Sequence, residues 1–350
     1  MPVNALAKPI RKDYNNIMNY WQGKKVVVTG GAGFIGSHMV ERLLREGASV
    51  TVTLRQRMDV TQTYLAPIAR DIHVVNVRLE DEPSMVPVLK GQDWVLNIAA
   101  HMGGLLYSSK NHAYMFYENL RPAISMMEAA RLAEVPNYLV CSTACVYPGD
   151  AETPIKETEG FRSFPQETNE GYGMAKRTQE YMGMLYAKRY GMHIPIARPF
   201  NAYGPRDDFH FDTSHVIPAL IRRCLAAPQS GELLVYGTGN AIRALVYCDD
   251  FVSGLLAVAE KGPSGDPINV GTGDYVTIRE LAEKVMTATG RTDLYIHFDT
   301  SKPEGQMRRY ADTTKAREMT GFECKVSLDE GLRNTVEWFK GEVAAGRLQI

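Results

Sequence analysis

Residues 25–36 read KVVVTGGAGFIG, a short apolar run followed by Gly30, Gly33 and Gly36 at a spacing of three. An uninterrupted apolar run suits a strand buried on both faces of a parallel sheet. Beyond the glycines, Met39, Val40, Leu43 and Leu44 give a helix from about Ser37 to Arg45 one apolar face. Gly30 permits a tight turn, Gly33 lets the backbone come close to a bound group, and Gly36 lets the helix pack against the strand. The free N–H groups opening that helix attract phosphate. A glycine spacing alone is weak; set between a strand and a helix, it predicts a dinucleotide-binding turn.

The rest of the chain agrees with this start. Strand-like runs recur at Val50–Leu54, His73–Val77, Trp94–Ile98, Tyr138–Cys141 and His193–Ala197, with helical patterns at Glu118–Ala133 and Lys176–Arg189. Alternating strands and helices predict an α/β fold, a Rossmann-type doubly wound parallel sheet. A smaller, mixed C-terminal substrate domain accounts for the remaining length. The expected division is a dinucleotide-binding domain over 24–199, with returning segments at about 237–273. The substrate domain takes 200–236 and 274–345, and 1–23 forms an N-terminal extension. Leu245–Tyr247 and Ile268–Val270 read as strands that return to the first domain or join the sheet near it.

Net charge is −1, which argues against nucleic acid or an anionic membrane as a partner. No apolar run reaches the length of a membrane span, and 1–22 does not read as a signal peptide. Five cysteines without a CxxC pair or zinc spacing predict a reduced, cytoplasmic protein with no metal site.

Two further motifs carry chemistry. After the second strand the chain reads Leu54-Arg55-Gln56-Arg57, with no acid before Asp59. An NAD enzyme places a carboxylate there for the ribose hydroxyls, whereas Arg55 and Arg57 suit the 2′-phosphate of NADP. The expected cofactor is therefore NADP (NADPH), with NAD the alternative. Tyr172 and Lys176 form YGMAK at the start of a helical pattern, a spacing of four that puts both on one helix face. A nearby ammonium is expected to lower the phenol pKa, so that Tyr172 exchanges a proton with a carbonyl or alcohol. Thr143 follows the Tyr138 strand, where ligands sit in open α/β sheets, and can bond the same carbonyl. Taken singly, each has a plainer reading: a surface Tyr-Lys pair, a hydroxyl capping a turn.

In order, TGGAGFIG, NIAAHMGG, STACVYP, YGMAK, RPFNAYGP and LVYCDD resemble the extended short-chain dehydrogenase/reductase (NAD-dependent epimerase/dehydratase) family, from about Lys24 to the C-terminus. Within it, YGPRDDFH, SHVIPALIRR, INVGTG and FDTSKPEG are most similar to the GDP-L-fucose synthases, which are GDP-4-keto-6-deoxymannose 3,5-epimerase-4-reductases. The resemblance implies a reductase triad of Thr143, Tyr172 and Lys176. It also implies that Cys145 moves protons beside a ketone and that His215 is its acid/base partner. Phe34, Ile35, Ala99 and Pro199 fall at cofactor positions. Met102, Gly103, Gly104, Asn201, Val216, Arg223, Tyr236, Arg243 and Lys302 fall at substrate positions, the basic ones on the diphosphate or sugar. STACVYP and AAHMGG also resemble the GDP-mannose 3,5-epimerases, which carry lysine where His215 stands and hold NAD tightly.

The chemistry implied is proton transfer at the carbons flanking a 4-keto group, then reduction at C4 with Tyr172 as proton donor. A GDP-sugar is the expected substrate. The alternatives are a GDP-sugar 3,5-epimerase without net redox, a C4 reductase acting on a GDP-4-keto-deoxyheptose, and a non-catalytic NADP sensor. Cys141, Cys224, Cys248 and Cys324 are expected only to pack, as is usual for free cysteine. Members of the family pair through two helices from each subunit. That implies a homodimer through 118–133 and 176–189, with Met126, Met127, Tyr181 and Leu185 facing outward.

Overall fold

The computed structural model describes residues 19–302 and 304–350. Its main sheet begins with β1 (Lys25–Thr29), β2 (Ser49–Leu54), β3 (His73–Asn76) and β4 (Trp94–Asn97), and continues with β5 (Asn137–Cys141) and β6 (Ile196–Pro199). Then come β7 (Ala202–Tyr203), β8 (Glu232–Tyr236), β9 (Ile242–Arg243) and β10 (Val246–Tyr247). Next come β11 (Pro267–Val270), β12 (Val276–Thr277), β13 (Tyr295–Asp299) and β14 (Arg308–Arg309). The main sheet has the order β11-β6-β5-β4-β1-β2-β3. Every pairing in it is parallel. This is the doubly wound Rossmann-type fold.

The helices begin with α1 (Phe34–Arg45), α2 (Glu82–Leu89), α3 (Leu105–Lys110), α4 (His112–Leu132) and α5 (Glu170–Tyr190), then α6 (Val216–Ala226) and α7 (Cys248–Lys261), and both faces of the main sheet are covered. The last are α8 (Ile278–Thr289), α9 (Thr314–Thr320) and α10 (Leu328–Ala344). Val26, Val28, Val50 and Val52 pack with Met39, Val40 and Leu43 of α1 and with Leu255 and Leu256 of α7 on one face. Val27 and Val95 pack with Met126 and Met127 on the other. Burial of such side chains is worth roughly 1.5–3 kcal/mol each. A separate apolar cluster joins α6, α8 and α10 around Leu220, Leu281 and Phe339. Among the described residues, no helix is long and apolar enough to cross a membrane.

Several boundaries differ from the sequence expectation. α1 starts at Phe34 rather than about Ser37, α4 at His112 rather than Glu118, and α5 at Glu170 rather than Lys176. The early starts fall in the glycine turn at 34–36, in an aromatic stretch at 112–117 and in the glycine-interrupted stretch at 170–175, none of which shows a helical apolar period. The run at 193–197 becomes a strand at Ile196–Pro199, because Pro195 has no N–H for a ladder; His193 and Pro195 make only isolated bridges. Met126 and Met127 are fully buried, so they belong to the core and not to an outward face. Tyr181 and Leu185 are exposed. Residues 1–18 of the expected extension lie outside the described residues, but its end is no appendage: Trp21 is buried and meets Trp94 at 5.5 Å.

Candidate active site

A cleft of about 2280 Å³ opens at the C-terminal ends of the parallel strands. One part is lined by Gly30, Gly33, Phe34, Ile35, Gly36, Arg55, Ala99 and Pro199. Gly30 has φ 67°, and a side chain on Gly36 would sit 2.0 Å from the Gly30 carbonyl oxygen. The turn and the head of α1 are thus pressed together as a tight cradle. Gly33 caps α1 without a side chain, and the first turn carries no acid, so nothing there competes with a phosphate. These residues fit the diphosphate of a dinucleotide. Arg55 lines the main cleft. Arg57, with φ 67°, does not; it lines a small adjoining depression with Arg55, Gln56 and Gln62.

Thr143, Cys145, Tyr172, Lys176 and His215 all line the same cleft. Thr143 caps the turn after β5, its Oγ1 accepting from the Cys145 N–H at 3.1 Å. The head of α5 packs directly on that turn: a side chain on Gly173 would come 2.3 Å from the Cys145 carbonyl oxygen. This holds Tyr172 against Thr143 and Cys145. Burial raises the phenol pKa well above its ordinary value, while a hydrogen bond with Thr143 works the other way. Lys176 lies 5.9 Å from the centre of the Tyr172 ring, and its Nζ donates to the Cys141 carbonyl at 2.8 Å. Burial depresses the Lys176 pKa as well. Tyr172 is therefore held as a protonated phenol, the form that gives a proton to a developing alkoxide. His215 opens α6. Burial lowers its pKa, favouring neutral imidazole, with Asp208 opposing and Arg309 assisting.

Met102, Gly103, Gly104, Asn201, Val216, Arg223, Tyr236 and Arg243 also line the cleft. The Gly104 N–H donates to Thr213 at 3.0 Å, tying the Met102–Gly104 loop to the loop of His215. The Arg223 guanidinium lies 4.3 Å from the centre of the Tyr236 ring. Arg243 donates to the Gln306 carbonyl at 2.6 Å, and burial pushes its pKa down to about 10. Lys302 is exposed and is not among the described residues lining the cleft. Its backbone N–H closes a turn on Asp299, whereas Glu304, Gly305 and Gln306 just after it do reach the cleft.

Sequence reasoning passed over Arg309, whose Nη2 donates to Cys145 Sγ at 3.0 Å. No local pattern marks it, since 164 residues separate the two. It also missed the layer beneath Thr143, where Glu180 receives Arg198 at 2.7 and 2.9 Å and the Ser142 hydroxyl. Cys141 and Cys248 are buried and Cys224 packs in the second core, while Cys324 is half-buried. Although no metal site was expected, His38, Cys248 and Asp249 bring ligating atoms within 4.8 Å of one another. His38 Nδ1 stands 3.6 Å from Asp249, and burial, with the Arg206 cation assisting, lowers the His38 pKa.

The comparisons with known proteins agree with this geometry. Residues 26–271 match the model of the NAD dependent epimerase/dehydratase family, and the chain belongs to that family. It is 33% identical to a GDP-L-fucose synthase of Sinorhizobium fredii over 326 residues, covering 92% of this chain and 97% of that one. It is 29% identical to GDP-mannose 3,5-epimerase 1 of Oryza sativa subsp. japonica, over 94% of this chain and 86% of the other. The fold superimposes with a TM-score of 0.80 on UDP-glucose 4-epimerase of Thermotoga maritima, solved with UDP-glucose, at 29% identity over 91% and 99% of the two chains. The protein is an enzyme of the short-chain dehydrogenase type whose relatives are nucleotide-sugar epimerases and reductases.

Proposed function

We propose that this protein is an NADPH-dependent epimerase/reductase acting on a GDP-4-keto-6-deoxy sugar. The observation that carries the reading is the convergence of Cys145 with Arg309, of Thr143 with Tyr172, and of His215 on one cleft whose far end is the glycine cradle. Gly30, Gly33, Phe34, Ile35, Gly36, Ala99 and Pro199 would hold the dinucleotide, with Arg55 and Arg57 at its 2′-phosphate. When bound, the nicotinamide supplies hydride to C4.

The 4-keto group acidifies the C–H bonds at C3 and C5. Cys145 as thiolate takes such a proton, and the C–H electron pair moves into an enolate. An imidazolium at His215 gives a proton to the opposite face and returns to the neutral imidazole that its burial favours, which inverts the centre. Tyr172 then gives its phenolic proton to the alkoxide at C4. Lys176, anchored on the Cys141 carbonyl, orients the ribose and restores the charge balance. Arg223, Arg243 and Tyr236 hold the nucleoside diphosphate end, and the Met102–Gly104 loop borders the sugar.

The test is anaerobic incubation with NADPH and GDP-4-keto-6-deoxymannose, following absorbance and identifying the product by NMR. NADPH oxidation with formation of GDP-L-fucose is the expected result. No oxidation and no solvent-deuterium uptake would refute the reading. A second reading, epimerisation without net redox, is favoured by one contact: Tyr64 meets Trp338 at 6.2 Å, tying the segment after β2 to α10 beside the same cleft. Such a tie suits a cofactor that stays bound. It predicts deuterium uptake without NADPH loss.

The division into a dinucleotide unit over 24–199 with 237–273 and a substrate unit over 200–236 with 274–345 belongs to the same proposal. So do a cytoplasmic location and a homodimer through α4 and α5. The exposed Ile124, Tyr181 and Leu185 on those helices support the dimer.

A further inference from the structure

Cys145 can serve as a base only as thiolate, and a free thiol is mostly protonated at neutral pH. Its surroundings therefore decide whether it works. Arg309 stands 3.0 Å from Sγ, and among the described residues it makes no ion pair. Its Nε is buried with no hydrogen-bond partner. A half-buried guanidinium without a carboxylate is unfavourable unless an anion joins it. Arg243 adds to the excess: β14 runs parallel to β9 with Arg309 beside Arg243 in register.

The placement is rigid. The Ala244 N–H donates to the Arg309 carbonyl, and Tyr310 stacks on Tyr275 at 4.6 Å. The Ile155 N–H donates to Tyr310, and the Asp312 N–H to Ile155, both at 2.9 Å. Ile155 and Ala311 share one apolar cluster with Ala144 and Val146, the neighbours of Cys145. Arg309 is thereby locked to the turn that carries the thiol, though it comes from a distant part of the chain.

We propose that Arg309 is the positioning residue that keeps Cys145 ionised, its guanidinium acting as counter-ion to the thiolate before substrate arrives. The inference rests on the reading of Cys145 as the base. When the thiolate takes a carbon-bound proton, the guanidinium loses that counter-ion and the enolate gains the negative charge, so the net charge beside Arg309 is unchanged.

The test needs no substrate, which separates its failure from failure of the functional reading. Full-length protein is alkylated with neutral iodoacetamide, and modification at Cys145 is followed by peptide mass, with Cys145→Ser as background. Arg309→Met should slow alkylation at pH 7 several-fold, because the thiolate loses the cation beside it. Arg309→Lys, which keeps the charge, should restore most of it. At pH 10, where a thiol ionises unaided, all three proteins should react alike. Equal rates at pH 7 would overturn the proposal and make the substrate diphosphate the natural counter-ion of Arg309. A loss that persists at pH 10 would overturn it too, by showing that access had changed. If the Met variant does not fold by thermal melt, Arg309→Gln takes its place. In turnover, Arg309→Met should lower kcat for deuterium uptake at neutral pH and recover it as pH rises, with KM little changed.

Discussion

Replacing Glu180 by Gln keeps size and shape but removes one charge from a pair that is 1% and 0% exposed. Arg198 donates to both carboxylate oxygens, at 2.9 and 2.7 Å, and Ser142 donates to one of them. A bidentate pair of this kind is geometrically demanding, and Gln can return only one acceptor. The Arg198 charge would remain in the interior with the Tyr147 hydroxyl and the Glu157 carbonyl as its other partners. Breaking one side of a buried pair costs about 3–5 kcal/mol. Unfolding entropy near 2.1 cal/mol/K per residue over a chain of this length then gives a fall in Tm of roughly 4–7 °C. Differential scanning calorimetry at low and high salt is the assay. The loss should be the same at both, because buried charges are poorly screened. Replacing both partners, Glu180→Leu with Arg198→Met, should recover much of it, since a buried pair is often no better than apolar packing. A single-variant loss below about 1 kcal/mol, within the range of exposed pairs, would refute the reasoning.

Three shorter predictions concern the site. Tyr172→Phe should reduce NADPH-dependent reduction about 10²–10⁴-fold with Tm unchanged, and a residual rate near that of the parent would remove Tyr172 from proton donation. Gly36→Ala places a methyl group against the Gly30 carbonyl; it should abolish NADPH binding in a fluorescence titration, and retained affinity would show that the cradle does not hold the cofactor. Burial raises the Asp207 pKa to about 8, and its Oδ2 has no partner. A carboxyl raised above its unfolded value lends stability below pH 4 that is lost as pH rises toward 8. Asp207→Asn should therefore raise Tm at pH 8 and leave it unchanged at pH 4; equal effects at both pH values would contradict the buried neutral carboxyl.

Local pattern carried much of the fold and part of the site. β1, the glycine turn and α1 are contiguous, so their periodicity and backbone demands stand in one stretch of chain. Tyr172 with Lys176, and Thr143 after its strand, were visible for the same reason, whereas the roles of Cys145 and His215 came by resemblance. What escaped depends on residues far apart in sequence. Arg309 is an unremarkable basic residue until β14 aligns with β9, and Trp21 lies in a segment without period that nonetheless reaches Trp94. Spacing placed Tyr172 and Lys176 on one face but could not say that burial would raise the phenol so far. Lys302 was carried by resemblance and missed the cleft by two residues, since a turn at Asp299 sends its side chain to solvent while Glu304 reaches the lining.

The order in which the chain is made gives the contact across the cleft a further meaning. A ribosome releases Cys145 long before Arg309, and all seven strands of the main sheet are complete at Val270. An unfinished chain thus has its parallel framework in hand while Cys145 still lacks the guanidinium of Arg309. On the role proposed for Arg309, reactivity of the thiol becomes a property of the finished molecule, and a C-terminal truncation before β14 should leave the cysteine in place but chemically quiet.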